Sequence, residues 1–291
     1  QSGPGAENTY GAIAQAYSES VPLLFMPGGY ARRLAHVGAN YNSTISMRDV
    51  TKSAEPLITA DQLPEVMRRA FSRLKNGRGG PCLVEIPNDI WHEEVPEPLN
   101  YRPVLRTKFG PDPAAVQQAV ELLSKAKRPV LYAGQGVHYA KAWPQLKALA
   151  ELLAAPVCTS IEGKSAFPET HPLSLGTGGL AMPRPVRAFL DDADVVFGVG
   201  VSFTETNFGV KMPKGKRFIQ ATLDPMHLNK DIEIEIGLVG DAGLTLDALL
   251  NALKPMVSSP RDSSAVAKEI AAGHAAWFKE WEPKLKSNDA P

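Results

Sequence analysis

At 291 residues, 44% of them apolar and 21% charged, the chain is long enough for two domains with cores of their own. Lys+Arg and Asp+Glu are both 31, and this zero net charge argues against a nucleic-acid or acidic-membrane surface, which needs a basic excess. No apolar run approaches the roughly 20 residues that cross a bilayer, and the six histidines and two cysteines show no HxxxH or CxxC spacing that would build a metal cage.

Taken in chain order, residues 6–18 (AENTYGAIAQAYS) read as a helix entered from the Gly3-Pro4-Gly5 turn. Pro22 then opens a strand, PLLFM, which Pro27-Gly28-Gly29 ends, and a polar stretch through Ser46 reads as an irregular loop. DQLPEVMRRAFSRLKN is a helix with Leu63, Val66, Ala70 and Leu74 on one face, and CLVEI is the next strand. From Trp91 to Pro113 the chain carries Pro96, Pro98, Pro103, Pro111 and Pro113 without periodicity, as a semi-rigid linker would.

A second block follows. Helix AAVQQAVELLSKA leads to strand PVLYA, helix WPQLKALAELLA to PVCTS, and helix RPVRAFLDD to ADVVFGVG. RFIQATLD and IGLVGD continue as strands, and LTLDALLNAL closes the block as a helix. Apolar, β-branched strands between amphipathic helices predict an α/β fold, a parallel sheet covered on both faces. The last segment, AVAKEIAAGHAAWFKEWEPKLK, reads as a helix whose Trp277 and Trp281 share a face, a packing stripe before a docking one. Cys82 and Cys158 lie in strands as buried thiols of a reducing, cytoplasmic compartment would.

In open parallel sheets, ligands lie outside the carboxyl ends of the strands. Gly134, Gln135 and Gly136 follow PVLYA there, Ser160 follows PVCT, Gly198 and Gly200 end ADVVF, and Asp224 and Asp241 follow the last two strands. Small residues admit a phosphate and a carboxylate can bind ribose hydroxyls, but glycines after strands also make ordinary tight turns. Both readings stand on the residues alone. IEGKSAF is no phosphate loop, because Cys158 stands where its first glycine belongs. Neither Gly134-Gln135-Gly136 nor Gly198-Val199-Gly200 completes the dinucleotide fingerprint, since Tyr139 and Phe203 replace the third glycine. VGDAG resembles the start of a diphosphate–magnesium motif without a suitably placed Asn, as Asn251 lies inside the next helix.

At SGPGAENTYGAIAQAYSESVPLLFMPGG the chain resembles thiamine-diphosphate-dependent enzymes of the acetolactate synthase and 2-oxoacid decarboxylase superfamily. GGPCLVEIPNDIW resembles the exit of that family's pyrimidine-binding domain, and RPVLYAGQGVHYAKA, GKSAFPETHPLSLGTGG, DADVVFGVGVSF and QATLDPMHLNKD its central domain, in the family's order. The resemblance implies part of a pyrimidine domain at 1–95, a linker at 96–113, a doubly wound, Rossmann-like central domain at 114–257 and a helical exit segment at 258–291. It places a catalytic glutamate before the Gly-Pro-Gly turn and a diphosphate-binding domain after the central one. The expectation is therefore the inner part of a longer enzyme, inactive alone.

The implied chemistry is decarboxylation of a small 2-oxoacid, carboligation, or both, with thiamine diphosphate and Mg2+ as cofactors of a homodimer or homotetramer. Pro4 and Asn8 match positions beside the pyrimidine ring, and Gly29 stands where acetolactate synthases place a glutamine near the reacting centre. Glu7 is better read as a first-turn carboxylate than as a catalyst. Departures concern both the flavin and the substrate of those synthases. VSFTETNFG replaces an Arg-Phe-Asp-Asp-Arg run of the flavin-binding ones, and Asn40-Tyr41-Asn42 replaces their aromatic-Gln-Glu substrate loop, so the resemblance does not carry acetolactate over as the product. Lys52 does match a flavin-approaching lysine. FAD or ADP in the central domain is thus an open alternative, as is a non-catalytic nucleotide-binding module using the rim at residues 134–241.

Overall fold

A computed structural model of the chain describes residues 2–257 and 259–289; Gln1, Ser258, Ala290 and Pro291, which the expected segments 1–95 and 258–291 include, lie outside them. Two compact units meet in sequence at Lys108 and Phe109, within the proline-rich stretch.

The first unit is built around strand β4 (Cys82–Pro87). Strands β1 (Leu24–Phe25), β2 (Gly28–Gly29) and β3 (Ser53–Pro56) all pair parallel to it. Leu24 faces Cys82 and Gly28 faces Ile86, so β1 and β2 keep one register across Met26 and Pro27. The alternation of β4 sends Cys82, Val84 and Ile86 into a cluster with Val66 and Ala70 of a helix at Leu63–Lys75, while Leu83 joins Ile13 and Met47 in another. The single helix expected over 6–18 is two: α1 (Pro4–Glu7) and α2 (Tyr10–Ser18). Thr9 breaks them apart, its hydroxyl donating to Ala6 O at 2.7 Å in competition with the backbone ladder. The expected loop before Ser46 contains a further turn of helix, α3 (Ser43–Ser46), capped by the Asn42 side chain accepting from Ile45 N–H at 3.0 Å.

Two cations hold this unit's connections. Arg32 donates from its backbone N–H and Nε to Asp89 at 3.1 and 2.8 Å, to Ile58 O at 2.9 Å, and also to Glu93. Lys52 donates to Asn76 O at 3.0 Å and Arg78 O at 2.6 Å, and also to Arg73 O, at the carboxyl end of α4 (Leu63–Lys75). A cation there meets carbonyls that have no partner within the helix.

The second unit is a six-stranded, wholly parallel sheet. Its strands are β5 (Pro129–Ala133), β6 (Val157–Thr159), β7 (Ser174–Thr177), β8 (Val195–Val199), β9 (Arg217–Thr222) and β10 (Ile236–Val239). They lie side by side in the order β7-β6-β5-β8-β9-β10, a doubly wound arrangement that reverses between β5 and β8. Helices α5 (Pro113–Lys125), α6 (Gln135–Ala140), α7 (Trp143–Leu153), α8 (Arg184–Asp192) and α9 (Ala242–Leu253) flank it. Three crossovers lack an α-helix, two of them the ones into β9 and β10 that the sequence also reads without one. β6 to β7 has no helix, β8 to β9 runs through an irregular 200–216, and β9 to β10 has only a single 3-10 turn at Pro225–His227. Gly198 and Gly237 explain the last two, because side chains there would collide with Phe203 and Leu228, which cover the sheet in place of helices.

Helix α10 (Ser264–Leu285) buries only Ile270. The stripe expected to pack meets itself at a tilt: Trp277 and Trp281 have centroids 6.4 Å apart with their planes at 52°, and Lys284 lies over Trp281, which is 39% exposed. Cys82 and Cys158 are free and buried, and burial pushes the Cys158 thiol up to about 12. No helix among the described residues is long and apolar enough to cross a membrane.

Two outcomes follow for the first unit. Lys52→Met leaves three carbonyls without their donor and should lower stability by about 1–3 kcal/mol in urea unfolding. The hydrogen bond from Arg32 holds the Asp89 carboxyl below its ordinary 3.8. Its stabilisation is therefore complete above 3.8 and lost as pH falls through the lower folded value. Arg32→Met should raise the midpoint of acid unfolding followed by circular dichroism.

Candidate functional site

In the first unit, three of the residues singled out from sequence lie along one chain of neighbours. Gly3, with φ +59°, immediately precedes α1; a Cβ there would stand 2.5 Å from Tyr30 Oη. Pro4 is the first helical residue, where a missing N–H costs nothing, and Asn8 closes the turn by donating its N–H to Pro4 O at 3.1 Å. Tyr30 follows Gly29, which is buried opposite Pro87. A Cβ on Gly29 would stand 2.7 Å from Glu85 Oε1. The Gly-Pro-Gly turn and Gly29 are thus joined through Tyr30, with the Glu85 carboxylate directly behind.

Glu85 escaped the sequence reading. It is the one charged residue in the otherwise apolar β4, and that interruption is the signal that could have marked it. Its Oε2 accepts from Ser43 N–H at 3.1 Å and from the Ser43 hydroxyl, fixing the first residue of α3. Tyr41 lies in the same field: burial raises its phenol, a hydrogen bond with Ser46 opposes this, and the charges of Glu7 and Glu85 add to the rise. This end of the sheet is therefore carboxylate- and phenol-rich, and Glu7 contributes charge from the exposed side of α1.

In the second unit, Gly134, Gln135, Gly136 and Gly200 come together where β5 and β8 end. Gly134 N–H donates to Val199 O at 2.9 Å, Gly136 N–H to Gly200 O at 2.9 Å, and Gly200 N–H to Ala221 O at 2.8 Å. Gly200 adopts φ +63°, and a Cβ on Gly136 would reach within 2.6 Å of its Cα. Gln135 reaches along its own helix to Tyr139 Oη at 3.3 Å. Ser160 is adjacent, donating its N–H to Ala133 O and accepting from Gly163 N–H at 3.0 Å. Asp224 and Asp241 turn their carboxylates inward to their own chain. Asp224 Oδ1 accepts from Met226 N–H at 3.0 Å, and Asp241 Oδ1 from Gly243 and Leu244 N–H at 3.1 and 3.2 Å as the cap of α9. Among the described residues no group of three His, Cys, Asp or Glu side chains could hold a metal ion.

A doubly wound parallel sheet with glycine turns at its reversal point defines the second unit as a Rossmann-like α/β domain. Comparison with known proteins narrows the class. Residues 116–249 match the family "Thiamine pyrophosphate enzyme, central domain". The acetolactate synthase isozyme 3 large subunit of Escherichia coli K12 is 33% identical over 268 residues, 87% of this chain and 46% of that protein. The acetolactate synthase large subunit of Corynebacterium glutamicum is 33% identical over 275 residues, 90% of this chain and 43% of that protein. Among solved structures, a candidate thiamin diphosphate-dependent enzyme from Mycobacterium smegmatis superposes with a TM-score of 0.75 at 28% identity, covering 89% of this chain and 50% of that one. The match to the thiamine pyrophosphate enzyme central domain takes in most of the second unit, and the chain spans under half the length of these two curated relatives.

Glu85→Ala should cost about 1–3 kcal/mol in chemical denaturation, because it strips the acceptor from the buried Ser43 amide and hydroxyl. Glu85→Gln, which keeps an acceptor oxygen, should cost less.

Proposed function

We propose that these residues form part of a thiamine-diphosphate-dependent enzyme that decarboxylates a small 2-oxoacid, joins the product to a second carbonyl, or does both. The observation that carries this reading is the 33% identity to acetolactate synthase large subunits, which extends along 87–90% of the chain and so through both units. The thiazolium of bound thiamine diphosphate supplies a sink for the electron pair released when carbon dioxide leaves.

The first unit supplies groups suited to one end of that cofactor. Gly3 and Gly29 lack side chains where Tyr30 and Glu85 press close, which lets the Gly-Pro-Gly turn and the end of β2 pack against those two side chains. Pro4 and Asn8 present a rigid first turn beside them, and Asn8 is exposed with an amide able both to donate and to accept. Their role is to hold and orient the pyrimidine, with Glu85 and Ser43 fixing the wall behind. Magnesium would belong with the cofactor's diphosphate. In this reading the enzyme is cytoplasmic and works as a homodimer or homotetramer.

The test uses the complete gene product with thiamine diphosphate, Mg2+ and a panel of 2-oxoacids. Carbon dioxide release that depends on added thiamine diphosphate is expected, and Asn8→Ala should reduce it by roughly 10–100-fold through misplacement of the ring. Absence of carbon dioxide release from every 2-oxoacid, with the cofactor shown to be bound, would sink the reading.

A further inference from the structure

The flavin of the acetolactate synthases poses a question that the strand ends of the second unit answer. A diphosphate seated at a strand-to-helix turn needs unoccupied amide N–H groups and open space in front of them. Of the four amides from Gly134 to Val137, three are already paired and Gln135 N–H alone has no backbone acceptor among the described residues. Gly134, Gly136 and Val137 donate their N–H groups to Val199 O, Gly200 O and Gly134 O at 2.9, 2.9 and 3.1 Å. Gly136 and Gly200 are so close that even a methyl group could not enter between them, since a Cβ on either would lie within 2.7 Å of the other's Cα.

The space beneath is also taken. Phe203 adopts φ +48°, is 7% exposed, and lays its ring on Tyr132 at 5.9 Å and against Phe218 at 5.7 Å. It fills the volume left by Gly198. Gln220 donates to Val201 O at 3.1 Å from under the same segment; its Oε1 has no hydrogen-bond partner, but the residue is 0% exposed and out of a ligand's reach. The two carboxylates suited to ribose hydroxyls, Asp224 and Asp241, already cap their own turns. No arginine lies between Arg187 and Arg217 to pair with a diphosphate. In the first unit, Lys52 is turned onto three carbonyl oxygens of α4 and its exit.

We infer that the strand ends of the second unit are a self-closed structural joint that takes neither FAD nor ADP, so the protein works without a nucleotide in its central domain. The glycines there serve backbone-to-backbone packing between β5 and β8. This goes beyond the proposed reaction and does not depend on it.

Two binding measurements on the complete gene product test it. Protein purified without added nucleotide and then acid-denatured is expected to release no visible-absorbing chromophore. Saturating FAD or ADP, each added separately, should leave the melting temperature unchanged to within about 1 °C, because a ligand that does not bind the native state cannot stabilise it. Flavin released in stoichiometric amount, or a rise of several degrees with either nucleotide, overturns the inference. Neither readout requires turnover, so failure of the proposed reaction and failure of this inference are separately visible.

Discussion

The hydrogen bond from Gly136 N–H to Gly200 O joins the two strands between which the sheet reverses direction, and the surroundings of the second unit's strand ends are arranged around it. It forms only because neither residue carries a side chain and because Gly200 can adopt a positive φ. Once it forms, the β8 exit must run back over the sheet. That path brings Val201 O to Gln220 and Phe203 onto Tyr132 and Phe218, so the crossover that lacks a helix still closes the core. The glycines that read as a ligand cradle in sequence also bring two strand ends into contact in the folded chain.

The first unit is held by a different kind of force. Its sheet is short, with β1 and β2 only two residues each, and the loops at its ends rely on side chains. Arg32 gathers three segments through Asp89, Glu93 and Ile58, Lys52 closes the end of α4, and Glu85 secures α3 through Ser43. Each replaces backbone pairing that a longer strand would have provided. Glu85 has the additional effect of bringing charge close to Gly29 and Tyr41, the part of the unit that the proposed chemistry would use.

Most of the second unit was legible because its signals are local. PVLYA and RPVRAFLDD coincide with β5 and α8, since an unbroken apolar run and a 3.6-residue stripe each have one compact solution. What escaped depended on partners distant in sequence. β3 (SAEP) shows no alternation and contains a proline; it is a strand because Ser53–Pro56 pairs with Cys82–Glu85. β7 (SLGT) likewise owes its form to β6. α6 begins on a glutamine and a glycine and reads as a turn, yet six residues wind up because Gly136 is held by Gly200. In the candidate sites, the identities of Gly29 and Gly136 were readable, but what each lies against was not. Whether a glycine after a strand admits a ligand or another backbone is decided by what arrives from the far side of the sheet.

The joint at β5 and β8 consists of uncharged peptide groups and a buried phenylalanine, whereas the loops of the first unit hang on half-exposed ion pairs. Counter-ions weaken the second kind of contact and leave the first nearly untouched. The chain therefore has one unit whose loops loosen in concentrated brine and one whose strand ends are indifferent to it, so the same solvent reaches its two halves with unequal force.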